Sequence, residues 1–172
     1  YYHSLFDHAD DSMVCVTPEG IITDLNYGQE ALSGWSRKQL LGRHYGSFLT
    51  PASRASVKDR ARRFQAGEPV SSIYEQEFLR PDGSSVLVES RSRFIRNAQG
   101  KPLGIFVVSR DITARKRMEE QLRESERRYR QIVDNAYDLI VSLDAQGNFT
   151  SANSSHIETL GWAPAELIGR HY

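Results

Sequence analysis

The chain has 172 residues, 39% of them hydrophobic and 26% charged, and 22 Lys plus Arg balance 22 Asp plus Glu. Zero net charge argues against a chain built to hold nucleic acid or an anionic membrane, since either needs a basic excess. The single cysteine, Cys15, excludes an internal disulfide and any multi-cysteine metal site.

The first predicted element is a strand over residues 12–17, closed by Pro18-Glu19-Gly20. A second strand over 21–26 makes the pair a hairpin. Short helices follow over 27–33 and 36–41, broken at Ser33-Gly34. Ser36 stands at an N-cap position with Gln39 at the capping-box site. Residues 52–65 form the best helix of this part, with Val57, Ala61 and Phe64 along one side. The basic residues of this helix lack interleaved aromatics apart from Phe64, so they read as a solvated face. Three strands come next, over 73–80, 85–96 and 103–110, joined by the turns Pro81-Asp82-Gly83-Ser84 and Asn97-Ala98-Gln99-Gly100. Strands, then helices, then a three-strand meander predict an α+β fold with an antiparallel sheet.

From Asp111 the character changes. Residues 114–132 predict an amphipathic linker helix without Gly or Pro. Met118, Leu122, Ser125, Tyr129 and Ile132 fall at heptad spacing, with Glu and Arg on the flanks. An isolated helix that is polar on most faces is marginal alone. A homodimer through an imperfect coiled-coil seam is therefore expected, the alternative being a solvated linker.

The chain also repeats itself at an offset of 127. Gly34-Trp35 returns as Gly161-Trp162, and Leu40-Leu41-Gly42-Arg43-His44-Tyr45 as Leu167-Ile168-Gly169-Arg170-His171-Tyr172. Pairing residues 1–45 with 128–172 needs no gap and gives 15 identities. The expectation is one complete unit over 1–113 and the N-terminal part of a second over 133–172, cut from a longer protein. Deprived of three strands, the second copy should be disordered or paired with another chain.

Several of these motifs resemble one family. Asp24-Leu25-Asn26, Ala31-Leu32-Ser33-Gly34-Trp35-Ser36 and Leu40-Leu41-Gly42-Arg43 are similar to the first half of a PAS sensory domain. Residues 74–113, ending in Asp111-Ile112-Thr113, resemble its C-terminal part. The resemblance implies a five-stranded antiparallel sheet with helices on one face and a long signalling helix after it. It implies a sensory module of a multidomain bacterial protein, such as a histidine kinase or diguanylate cyclase, transmitting a ligand or cofactor state through a dimeric helix. The alternative is a ligand-free dimerisation or interaction module.

A pocket is expected between sheet and helices, drawing on Asn26, Trp35, Phe48, Tyr74, Ser90 and Phe94. Ser90, Ser92 and Ser109 would offer hydroxyls if they face inward. Signal transmission is expected through Asp111 and Thr113, which can cap the following helix, and through Met118 and Leu122. No cofactor is assigned. Flavin against Trp35 and Asn26 competes with a packed Trp35 whose indole N–H meets a backbone carbonyl. Haem ligation by His44 competes with a structural role near a helix end. Cys15 reads as a small core residue. Ser155-His156-Ile157-Glu158 superficially resembles a kinase phospho-acceptor box, but His156 aligns with Gln29 in the repeat. No glycine-rich phosphate loop, nucleophile–base pair or metal cluster supports an enzyme. Apolar runs of about four residues fall far short of the ~20 a bilayer span needs, and no secretory leader opens the chain. A cytoplasmic setting, without nucleic-acid or membrane contact, is expected.

Overall fold

The computed structural model describes the backbone of residues 2–172 and all their side chains except those of 2, 3, 65 and 156–158. The side chains of His3 and His156 therefore lie outside the described residues. The chain divides into two compact units, the first reaching Arg115 and the second starting at Lys116.

The first unit opens with helix α1 (Tyr2–Asp7) and the hairpin β1 (Ser12–Val16) and β2 (Ile22–Leu25). Short helices α2 (Tyr27–Ser33) and α3 (Arg37–Leu40) follow, then a 3-10 turn over Tyr45–Phe48. Helix α4 (Pro51–Gln65) leads into β3 (Ile73–Leu79), β4 (Ser85–Arg96) and β5 (Pro102–Asp111). The five strands form one antiparallel sheet in the order β2-β1-β5-β4-β3. β5, the last strand of the meander, thus lies between β1 and β4, in the middle of the sheet. The fold is α+β, as the sequence predicts. Helix α1 and the 3-10 turn have no counterpart in the sequence reading, because elements this short carry little periodicity.

Strand alternation decides what is buried. Ser12, Val14 and Val16 of β1 are buried, while Met13 and Cys15 are only half-buried. Cys15 therefore lies on the opposite face of the sheet from the core, which corrects its assignment as a core residue. Val14, Val16, Val86, Val88 and Phe78 meet Leu40 of α3 and Tyr45 and Phe48 of the 3-10 turn in one cluster. Leu32 and Val57 pack against that cluster from α2 and α4.

Asn26 joins the hairpin to this helical cover. Its side-chain oxygen accepts from Met13 N at 2.8 Å and from Gln29 N at 3.0 Å, capping α2. Its amide nitrogen donates to Ala9 O at 3.2 Å and to Asp11 O at 2.9 Å. Gly34 then ends α2 in the left-handed region, at φ 73°, donating its N–H to Glu30 O. At α3, the Ser36 N–H donates to Gln39 Oε1 at 3.0 Å, as the capping pattern predicts.

Helix α5 spans Thr113–Asp134, and none of its residues is buried. The second unit carries the later part of α5, the hairpin β6 (Val141–Leu143) and β7 (Phe149–Ala152), and helices α6 (Ser155–Leu160) and α7 (Pro164–Leu167). Asn153 repeats the role of Asn26, accepting from Ile140 N at 3.0 Å and donating to Asp138 O and Val133 O, each at 2.9 Å. Phe149 N–H donates to Arg170 O at 2.9 Å and Gly169 N–H to Phe149 O at 2.8 Å. This segment holds its hairpin and both short helices through bonds of its own. Its local bonds close the hairpin on α7 without the later strands. The apolar consequence of the expectation stands: Val141 is 37% exposed where its counterpart Val14 is 2%.

Replacing Asn26 by Ala removes a cap and leaves Met13, Ala9 and Asp11 backbone groups without their partner. The expected cost is about 2–4 kcal/mol, measured by urea unfolding of the full chain, and Asn26→Asp should recover only the two accepted bonds.

Candidate functional site

The inward face of the sheet carries a row of hydroxyls. Ser12 stands opposite Ser109, Ser109 opposite Ser90, and Ser90 opposite Tyr74, in register across β1, β5, β4 and β3. Ser12, Ser90 and Ser109 are all buried. Ser90 and Ser109 share a hydrogen bond of 2.7 Å between their hydroxyl oxygens. Two residues along β3 from Tyr74, Gln76 Nε2 donates to Ser90 Oγ at 2.8 Å and to Tyr45 Oη at 2.6 Å. At the other end of the row, Ser12 Oγ donates to Gln29 Oε1. A polar seam thus crosses the sheet beneath an otherwise apolar core.

One acceptor in this seam has no partner. Gln76 is 3% exposed, and its Oε1 accepts no hydrogen bond among the described residues. Leaving a buried carbonyl unmet costs about 1–3 kcal/mol, so the position calls for a donor. Burial raises the Tyr45 phenol well above its ordinary pKa and also raises that of Tyr74. Both groups therefore stay protonated and serve as neutral hydrogen-bonding groups.

The six predicted pocket residues do not form one cluster. Tyr74 and Ser90 are direct cross-strand neighbours in the seam. Trp35 and Phe48 meet edge to face, their ring centroids 5.4 Å apart. Trp35 Nε1 donates to Leu79 O at 2.8 Å, the backbone bond set against the flavin reading. Asn26 is spent on the backbone bonds described above. Phe94 lies towards the other end of β4, stacked on Phe64 of α4 at 4.1 Å. Beside it the Arg60 guanidinium sits 3.8 Å from the centroid of the Tyr74 ring. These two contacts fasten the C-terminal half of α4 to the meander.

Sequence reasoning missed Tyr45 and Gln76. The signal for Gln76 was available: Tyr74, Gln76 and Phe78 alternate, so an inward Phe78 requires an inward Gln76. Tyr45 carried no such signal, because it lies in an irregular turn. Ser92, the other hydroxyl weighed for this face, is half-buried and hydrogen-bonded to Tyr74.

His44 Nδ1 accepts from Gly46 N at 3.1 Å, and its ring lies against the hairpin turn at Gly20. A Cβ on Gly20, where φ is +87°, would come within 2.9 Å of His44 Nε2. This geometry suits the structural role of His44, and His171 repeats the contact at Gly147.

At the exit from the sheet, Asp111 Oδ1 accepts from Thr113 N at 2.7 Å, so Asp111 caps the first turn of α5. Ile112 between them is buried, its N–H donating to Leu87 O at 3.1 Å. Arg115 pairs with Glu89 of β4 at 3.5 Å. Met118 and Leu122 are 63% and 62% exposed, and Tyr129 and Ile132 are similarly open.

A family model described as the PAS fold matches residues 6–117, and a second PAS-fold model matches residues 127–172. The chain belongs to the PAS-fold family. It is a sensory signal-transduction module of that family. Among its relatives is Sporulation kinase A of Bacillus subtilis (strain 168), 29% identical over 164 residues, or 93% of this chain. The chain spans 26% of that kinase's length. The crystal structure of a PAS domain from Colwellia psychrerythraea matches with a TM-score of 0.57 at 25% identity, over 66% of this chain and 95% of that one. The PAS domain of the Cronobacter turicensis RpfR quorum-sensing receptor, in complex with C12:0, matches with a TM-score of 0.50 at 20% identity, over 62% and 97%. Among the described residues, no helix is long and apolar enough to cross a membrane.

Two outcomes follow for this PAS unit. Ser90→Ala should cost about 1–3 kcal/mol, because it strips Gln76 and Ser109 of a buried partner, and chemical denaturation reads this. The Arg110 guanidinium donates to Asp11 at 2.7 and 2.9 Å and holds its carboxyl below the usual range. The pair therefore stabilises the fold above the ordinary carboxylate pKa and stops doing so as pH falls through the lowered one. Being largely exposed, it should contribute only a small difference. That difference should separate wild type from Asp11→Asn at neutral pH and vanish in acid.

Proposed function

We propose that residues 1–113 sense a small ligand held at the buried polar seam, and that 114–132 carry the signal to a second PAS unit starting at 133. The observation behind this reading is the unmet acceptor Gln76 Oε1 in a fully buried, otherwise satisfied network. A ligand bringing an N–H or O–H to that oxygen relieves its desolvation cost. Tyr45, Tyr74, Ser90 and Ser109 are the groups that would orient the rest of it. Phe78, edge to face with Tyr45, bounds the region from the apolar side.

The signal then leaves along β5. Repacking around Ser109 shifts Asp111, and Asp111 caps α5 through Thr113. In a homodimer, α5 pairs with its copy through Met118, Leu122, Tyr129 and Ile132, and a small change at the cap alters the register of that pair. The fragment itself performs no catalysis. It serves a cytoplasmic, multidomain protein with a histidine kinase or diguanylate cyclase output, and touches neither nucleic acid nor membrane. A second reading, a ligand-free dimerisation module, draws on the close packing of Leu25, Leu40, Leu49 and Phe78, all 0–1% exposed.

Absorbance from ~300 to ~700 nm, followed by mass spectrometry of the denatured supernatant, separates the two readings by the colour and small-molecule content expected of a filled site. A released small molecule whose binding is lost in Gln76→Leu supports the ligand reading. A colourless protein that releases nothing and gains no stability from a metabolite library favours the dimerisation module. For the dimer, Leu122→Glu should convert a sedimenting dimer into a monomer without loss of folded content. A wild-type chain that is monomeric at about 100 μM would remove α5 pairing from the mechanism, since a working coiled coil is formed well below that concentration.

A further inference from the structure

A second candidate site opens at the surface of the first unit, over the Ser12–Ser109 end of the seam. An open cleft of about 380 Å³ runs between α2, the start of β1 and the end of β5. Its floor is made by Ser12 and Ser109, and Leu32 of α2 contributes an apolar wall. The volume lies at the lower end for small-molecule sites, so it suits a compact metabolite.

The charges around the cleft decide its chemistry. Asp10, Asp11, Asp111, Arg80 and Arg110 all line it. Asp11 and Arg110 pair with each other through two hydrogen bonds, so their charges largely offset within the cleft. That leaves Asp10, Asp111 and Arg80. Asp10 has no ion-pair or hydrogen-bond partner among the described residues. Asp111 uses Oδ1 to cap α5, and Oδ2 takes no bond among the described residues. Arg80 is held by its Nε, which donates to Leu32 O at 3.2 Å. This anchor directs the guanidinium while sparing its terminal nitrogens for a carboxylate, the partner that its planar fork matches best.

We infer that this cleft binds a small zwitterion of amino-acid size, its carboxylate on Arg80 and its ammonium on Asp10 and Asp111. A plain anion would face two unpaired carboxylates, and a plain cation would face the guanidinium. A compact molecule carrying both charges answers both. Binding has a consequence for the sensor, which rests on the signalling role proposed above. Asp111 belongs to the cleft and to the cap of α5 at once, so a ligand ammonium on Oδ2 fixes the carboxylate that holds Thr113 N. The α5 terminus is then a readout of cleft occupancy.

Calorimetric titration of the full chain with glycine, L-alanine, acetate and methylammonium tests the site. The amino acids should bind, and the two half-ligands should bind at least about tenfold more weakly, each lacking one charge-assisted contact. Arg80→Gln should weaken glycine and acetate but leave methylammonium unchanged. Asp10→Asn should weaken glycine and methylammonium but leave acetate unchanged, and because Asp10 is exposed it should leave the fold intact. No heat with any of the four probes, acetate binding as tightly as glycine, or indifference to both variants would overturn the site. Hydrogen exchange at Thr113 N then tests the coupling. Slower exchange with glycine bound supports it, and unchanged exchange with glycine bound overturns the link to α5 while leaving the site standing. Failure of glycine to bind does not touch the seam ligand, which the mass spectrometry and Gln76→Leu address.

Discussion

The side-chain amide of Asn26 is the constraint on which the arrangement depends. Its oxygen serves β1 and the first turn of α2, and its nitrogen serves the segment entering β1. One residue therefore sets where the hairpin ends and at what point α2 leaves it. Gln29, one turn on, comes to lie over Ser12 because that departure is fixed. Leu32 then reaches the core, and the cleft between α2 and β5 takes its width from the same geometry. The second unit uses Asn153 in the same way, which is how a segment with few strands still holds a hairpin and two helices together.

The core of the first unit contains two opposed environments. Leu25, Leu40, Leu49, Val88 and Phe78 supply the apolar burial that stabilises it. Threaded beside them are Ser12, Ser90, Ser109, Gln29, Gln76 and Tyr45, whose polar atoms gain little on balance when paired and cost a good deal when not. A protein built only for stability would place aliphatic residues there. Serine and glutamine on the inner face instead favour an interior able to exchange hydrogen-bond partners, with Gln76 Oε1 as the vacant acceptor.

Asp111 connects that interior to the outside. It follows the serine row along β5, borders the surface cleft and caps α5. Buried Ile112, bonded to Leu87, fixes the chain on the sheet immediately before the helix starts. Beyond that turn the helix has no buried residue. Its order depends on its own charge pairs, such as Arg128–Glu124 at 3.3 Å, and on what its apolar stripe meets.

Much of this was legible from residues alone. Period-two alternation, turn glycines and the 127-residue repeat specify the strands, the hairpins and the duplicated unit, because these are local properties of the chain. Heptad spacing specifies the exposed stripe of α5 for the same reason. The tertiary structure decided which face of each strand is inside. Ser90 and Cys15 sit in strands whose patterns admit either orientation until β5 inserts between β1 and β4. It also decided the partnerships: Gln76 with Tyr45 across 31 positions, and Phe64 with Phe94 across the sheet edge. Pairings of that span depend on the register of strands distant in sequence, and no local pattern encodes that register.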